Sequence, residues 1–178
     1  MLDDSASVGG DTPASDRFNG PPELTVTETL RALSCAYAEG VDRRDRDLVR
    51  NVFAPTATLT VHGRKGLQPL PEFRFQGRDA IGGIVDHLSD HPITFHMLGQ
   101  GRYQLTDEGA TGEVYCEAHH VGPGDGGGET DRIMYIRYQD QYRSHPDGGW
   151  QILERTVEVD WTTDRPLDVR PDGSEAVR

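Results

Sequence analysis

The hydrophobic period of this chain changes for good at Ile93. Before that point apolar residues recur three and four positions apart: Leu30, Leu33, Tyr37 and Val41 in one segment, Ile81, Ile84, Val85 and Leu88 in another. Such spacing lays one apolar stripe along a helix. From Ile93 onward apolar and polar residues alternate, in runs at about 93–105, 110–121, 130–144 and 149–161. Alternation of that kind belongs to strands with one buried face. The junctions carry turn chemistry, with TDEG at 106–109, GPGDGGG at 122–128 and HPDGG at 145–149. Helices followed by a strand meander predict an α+β domain: a cone-shaped, curved, mostly antiparallel sheet wrapped around about three N-terminal helices and enclosing a pocket.

The first helix is expected from about Thr25 to Val41, capped by Thr27 or Thr25 and weakened in its last turn by Gly40. A second, Asp45 to Phe53, should stop before Pro55, after which TATLTVHG alternates as a strand. The third spans Arg78 to Leu88 despite Gly82 and Gly83. Residues 1–22 are rich in Asp, Ser, Gly and Pro and read as a flexible arm. The folded domain takes 23–164, and 165–178 reads as a loose tail whose Leu167 and Val169 could dock on a neighbour.

Bulk properties narrow the function. The chain has 178 residues, enough for one domain of roughly 100–150 residues plus tails. Its 30 Asp+Glu against 18 Lys+Arg, a net charge of -12, argue against nucleic acid or an anionic membrane as partner. A small apolar organic molecule fits better. There is no apolar run of about 18 residues and the first residues are acidic and polar, so a spanning helix and a signal peptide are not expected. The chain reads as cytoplasmic, with Cys35 and Cys116 as separate reduced thiols.

Where YAEGVDRRDRD ends the first helix, Asp42 meets an apolar interior. In ITFHMLGQ, Phe95 and Met97 project one way while His96 and Leu98 project the other. A carboxylate on one imidazole nitrogen fixes the tautomer and leaves the second nitrogen to take a proton, so Asp42 and His96 together suggest a general base. In the next strand Ala110, Gly112, Val114, Cys116, Ala118 and His120 form a small apolar face, which makes His120 rather than His119 the pocket candidate. In the last strand Gln151, Leu153, Arg155, Val157, Val159 and Trp161 share a face. A guanidinium there must meet a carboxylate or a bound anion, and a structural ion pair with Asp42 or Asp140 is as open as a catalytic role. Tyr138 and Tyr142 share one face.

Other motifs carry less. His87 and His91 are four apart with Asp86 and Asp90 beside them, but Pro92 follows and no partner motif exists, so no metal is expected. Asp42, Asp45 and Asp47 lack the glycine and glutamate of a calcium loop. The glycines at 122–128 match no phosphate-binding fingerprint, and there is no GxSxG elbow.

The order YAEGVDRRDRDLVRNVFAPTATLTVHG, FHMLGQ, GEVYCEAHH and YQDQYRSHPDGGWQILERTVEVDW resembles the SnoaL-like branch of the nuclear transport factor 2-like superfamily, over about residues 25–162. Within it the chain looks most like scytalone dehydratase and hexachlorocyclohexane dehydrochlorinase. The resemblance implies catalytic roles for Asp42 and His96, a second histidine at His120, and an arginine five residues after a strand tryptophan, as Arg155 follows Trp150. Val41 and Val61 stand where scytalone dehydratase has two tyrosines.

Together these readings point to a cofactor-independent lyase, foremost a dehydratase, acting on an apolar cyclic or polyketide-like molecule. His96 would be the base, Asp42 its support, Arg155 the stabiliser of developing anion and His120 a proton donor to the leaving group. Tyr37, Val61, Val114, Cys116, Tyr138 and Trp161 are expected to contact substrate. An isomerase or aldol-type cyclase is the second reading, and a non-catalytic ligand-binding or assembly module the third. Ile133, Tyr135 and Ile152 are expected on the outer sheet face, and with the resemblance imply a homodimer or homotrimer.

Overall fold

The structure, a computed structural model, describes residues 25–67, 70–124, 128–145 and 148–167. The expected arm at 1–22 and the tail beyond 167 lie outside them. The helices are α1 (Val26–Arg43), α2 (Arg46–Asn51) and α3 (Arg78–Gly82), the last continuing as a 3-10 turn at Gly83–Leu88. The strands are β1 (Phe53–Gly63), β2 (Phe73–Gln76), β3 (Ile93–Thr106), β4 (Gly109–Pro123), β5 (Glu129–Ser144) and β6 (Trp150–Leu167). They form one curved, unclosed sheet in the order β2-β1-β6-β5-β4-β3. All pairings are antiparallel except β1 with β6.

Thr25 caps α1 in a reciprocal box: its hydroxyl accepts from the Glu28 N–H at 3.3 Å, and its own N–H donates to Glu28 Oε2 at 2.8 Å. The helix buries Leu30, Leu33, Tyr37 and Val41 against the sheet, as their spacing predicts. It ends at Arg44, in the left-handed region at φ 58. Gly40 permits the turn into α2: a Cβ there would stand 2.8 Å from Val49 Cγ2 and 3.0 Å from the Val49 nitrogen. Gly40→Ala is therefore expected to destabilise the fold by about 1–3 kcal/mol, overpacking outweighing alanine's better helix propensity, and urea unfolding would measure it.

Strand parity needs two corrections. The pairing slips between Gln141 and Tyr142, where Tyr142 opposes Ile152 and leaves Leu153 as a bulge. Ile152 consequently turns inward and is fully buried, not part of the outer face. A second slip, between Tyr135 and Ile136, bulges Asp160, which is held outside by Arg137 at 2.9 Å and Arg64 at 3.0 Å. Beyond it Trp161 lies on the outer face, stacked on Tyr135 with ring centroids 4.4 Å apart, and cannot be a pocket residue. Ile133, opposite His119 and Thr163, stays on the outer face as expected but is buried there.

Three boundaries also differ. Phe53 starts β1 instead of ending α2, because Val52 and Phe53 pack in the core and Phe53 pairs with Ile152. The short strand β2 was not expected from its sequence and pairs with β1 at Thr58–Val61. And β6 extends to Leu167, so residues 165–167 belong to the sheet instead of a loose tail: Arg165 opposes Asp131 and its guanidinium reaches that carboxylate at 3.0 Å.

Candidate active site

Successive rows of the sheet's inner face build a graded interior. At one end Leu59, Arg155, Asp140 and Gly112 lie side by side on β1, β6, β5 and β4, followed by Val61, Val157, Tyr138 and Val114. Further along come Thr162, Met134, Ala118 and His96, then Asp164, Arg132, His120 and Thr94. Between these rows and the helices lies a cavity of about 660 Å³, within the usual range of about 300–1,000 Å³ for small-molecule sites. Tyr37, Val41, Val61, Ile84, Ile136 and Tyr138 give it an apolar body, while His91, His96 and His120 mark its polar side.

Asp42 and His96 meet in its wall. The Asp42 carboxylate accepts from the His96 backbone N–H at 2.9 Å through Oδ2, and stands 2.6 Å from the ring Nδ1 through Oδ1. Burial alone would raise the Asp42 pKa, but hydrogen bonds from the His96 ring and backbone, the imidazole charge and the Thr94 hydroxyl outweigh it and hold the pKa low. An ionised carboxylate only accepts, so Nδ1 carries a proton, and whenever the ring is neutral Nε2 keeps the lone pair. That is the orientation a general base needs.

Arg44, which motif reading passes over, fixes the pair. From its left-handed position at the end of α1 it donates at 2.6 Å to the Val41 carbonyl, to Thr94 Oγ1 and to the His91 carbonyl. One side chain thereby ties the helix end carrying Asp42 to the start of the strand carrying His96. Signals for it were present in the sequence only as one arginine among several.

His120 lines the cavity, with its ring centroid 5.9 Å from that of His96 and 5.4 Å from that of His91. Burial, reinforced by positive charge at His96, His91 and Arg44, pushes its pKa down to about 4. The ring is neutral near pH 7 and able to hydrogen-bond, but it holds no charged proton to give. An unfolded His120 would take up a proton near its ordinary value of 6.5 that the folded ring refuses. Stability is expected to decline as pH falls from 6.5 towards about 4, and His120→Phe should flatten that part of the curve in urea unfolding at stepped pH.

Arg155 is placed elsewhere. It is fully buried, donating from Nε to Asp140 Oδ1 at 2.8 Å, from Nη2 to Asp140 Oδ2 at 2.6 Å and from Nη2 to Ser34 Oγ at 3.0 Å. Burial alone would lower its pKa, and the Asp140 charge more than reverses that. The rings of Tyr37 and Tyr138, both lining the cavity, stand 4.5 and 4.3 Å from the guanidinium carbon. Arg155 itself is not in the cavity wall, and the ion pair with Asp140 is the role its surroundings support. Its Nη1 has no hydrogen-bond partner among the described residues.

Of the expected contact residues, Tyr37, Val61 and Tyr138 line the cavity. Val114 and Cys116 do not: they pack in the core around Tyr138, whose hydroxyl donates to Cys116 Sγ at 3.5 Å. Tyr142 is likewise engaged, donating to Asp140 at 2.7 Å. His119 faces away from the cavity, 2.9 Å from Asp131. Val41 and Val61, the positions that hold tyrosines in scytalone dehydratase, are both in the wall, so the difference alters the cavity surface itself. His87 and His91 diverge, His87 against Phe75 and His91 against His120. Among the described residues no three His, Cys, Asp or Glu side chains converge as metal ligands, and no helix is long and apolar enough to cross a membrane.

Comparison with known proteins agrees with this architecture. A candidate scytalone dehydratase from Novosphingobium aromaticivorans DSM 12444 superposes with a TM-score of 0.62 at 18% identity, over 79% of this chain and 88% of that one. The hexachlorocyclohexane dehydrochlorinase LinA-type3 from Novosphingobium barchaimii LL02 gives 0.63 at 15% identity, over 78% and 89%. At these identities the likeness is one of fold. An uncharacterised protein of Mycobacterium tuberculosis strain H37Rv is 24% identical over 136 residues, covering 75% of this chain and 84% of its own. The profile of the SnoaL-like domain matches residues 22–156, most of the folded chain, and the protein belongs to the SnoaL-like family.

Proposed function

We propose that the protein is a cofactor-independent lyase, foremost a dehydratase, acting on an apolar cyclic or polyketide-like molecule. The observation that carries this reading is the 2.6 Å contact of Asp42 with His96 Nδ1 in the wall of a largely apolar cavity of about 660 Å³. In this scheme His96 Nε2 removes a proton from a carbon beside a carbonyl, and Asp42 stabilises the imidazolium that forms. Neutral His120 donates a hydrogen bond to the carbonyl oxygen as negative charge develops there. The electron pair then expels the hydroxyl from the adjacent carbon, and that hydroxyl takes up the proton held on His96 and leaves as water. Arg155 contributes by holding Tyr37 and Tyr138 in place, since its charge is already answered by Asp140.

His120 also favours a second reading. A ring with a pKa of about 4 carries no acidic proton near pH 7 for a departing hydroxyl, whereas in an isomerase or aldol-type cyclase the proton taken up by His96 returns to the product, to carbon in the first case and to the new alkoxide in the second. Product mass separates the two: incubation with a panel of cyclic β-hydroxy ketones should give products lighter by one water for a dehydratase and of unchanged mass for an isomerase or cyclase. Turnover of such a panel that persists at full rate in His96→Ala would remove both readings. A non-catalytic module would suit a cavity filled by side chains, and this one is open. Homodimer or homotrimer formation belongs to the same proposal, with exposed Phe95, Met97 and Trp161 available on the outer face.

A further inference from the structure

Beyond the cavity of about 660 Å³ lies a second space of about 310 Å³, and the two share the residues His91, His120, Arg132 and Asp164 in their linings. The second space has a different chemistry. Gly122, Pro123, Gly124, Thr130 and Pro166 complete it, with no large apolar side chain among them. It continues the graded rows: past Asp164, Arg132, His120 and Thr94 the sheet presents Pro166, Thr130 and Gly122. Gly122 lets residues 90 and 91 pack closely on this end, because a Cβ there would lie 2.6 Å from the Asp90 carbonyl oxygen and 2.9 Å from His91 Nδ1. The match to the family profile stops at residue 156, so Asp164 and Pro166 come from a part of β6 beyond it.

The shared residues form a partition with one exposed side. Arg132 and Asp164 are paired at 2.9 Å, with side chains 54% and 52% exposed. An exposed pair of this kind contributes little to stability. Its two charges cancel, so the partition offers a donor and an acceptor without attracting a net charge. On the other side stand His91 and His120, whose Nδ1 atoms are buried with no hydrogen-bond partner among the described residues.

We infer that the ligand of this site has two parts: a compact apolar ring system in the inner cavity and an uncharged, hydrogen-bonding arm of hydroxyl, ether, ester or amide type that passes between His91, His120 and the Arg132–Asp164 pair into the outer space. The inference rests on the inner cavity being the binding site proposed above. It restricts the substrate class to rings bearing a polar side arm, with the ring carbon beside the arm nearest to His96.

The test compares two probes with one ring system, 2-naphthol and 2-(2-hydroxyethoxy)naphthalene, by calorimetric or NMR titration of the full chain. The armed probe should bind at least ~10-fold more tightly, about the worth of one net hydrogen bond. Thr130→Trp, which fills the outer space, should erase that advantage while leaving the affinity for 2-naphthol unchanged, and Pro166→Trp provides a second plug from the neighbouring strand. Equal affinities in the unmodified protein, no binding of the armed probe, or an advantage that survives both plugs would overturn the inference. Val61→Trp plugs the inner cavity and separates the two levels of the argument. Loss of both probes in that variant supports the inner site, whereas indifference of both to it would contradict the site itself and the inference with it.

Discussion

Replacing His96 with alanine is expected to lower kcat by ~10²–10⁴-fold on whichever carbon acid the protein turns over, with little change in KM. The size follows from what is removed. The ring supplies the only lone pair in the cavity wall, among the described residues, that is backed by a carboxylate held 2.6 Å from its other nitrogen. The KM is spared because the ring occupies one corner of a cavity whose apolar area comes from Tyr37, Val41, Val61, Ile84, Ile136 and Tyr138. Asp42→Asn should cost a comparable factor. An amide at that position can present its NH2 group to Nδ1, which favours the tautomer with the proton on Nε2 and removes the base. Steady-state kinetics on both variants, with circular dichroism to confirm folding, check the expectation. A variant that loses affinity but keeps kcat would make His96 a binding residue.

Arg155→Met is expected to be the most destabilising single change, by about 3–5 kcal/mol, because it leaves the Asp140 carboxylate buried without its counter-charge. Tyr142 and its 2.7 Å hydrogen bond would be the main remaining support. The double variant Arg155→Met with Asp140→Leu should recover much of that loss, since it removes both charges and replaces them with apolar volume. Urea midpoints for the two single variants and the double variant form a complete cycle. The experiment also decides between the two roles that the sequence leaves open for this arginine. Loss of stability with partial rescue by the second substitution is the signature of a structural pair. Unchanged stability with lost turnover would make the guanidinium a participant in the reaction.

The Asp42–His96 pairing is legible in the sequence because each residue sits where local periodicity is regular: one near the end of a helix with a clear apolar stripe, the other in the first turn-free stretch of an alternating strand. Val61, singled out by the resemblance, and Tyr138 line the cavity too. Counting along the strand fails for Ile152 and Trp161 for one physical reason. Parity holds only while the ladder is unbroken, and the bulges at Leu153 and Asp160 each reverse it without any glycine or proline to announce them. In the second case the cause is long-range, a carboxylate pulled outward between Arg64 and Arg137. Arg44 is invisible for a similar reason. Its three hydrogen bonds reach from the end of one helix to residues near position 91, and nothing local marks it from Arg43 or Arg46. His91 is passed over as a cavity residue because nothing in the sequence shows that, beyond the 3-10 turn ending at Leu88, the chain turns it towards His120.

The central claim is that His96 presents an unprotonated Nε2 to the cavity because Asp42 holds the proton on Nδ1. Long-range 1H–15N correlation of the imidazole nitrogens in uniformly labelled protein, followed over pH to the neutral ring, reads that tautomer without requiring a substrate. The structure predicts a protonated Nδ1 and a lone-pair Nε2 for His96, changing in Asp42→Asn. A neutral His96 ring with its proton on Nε2 in the unmodified protein, or a spectrum indifferent to Asp42→Asn, would contradict it.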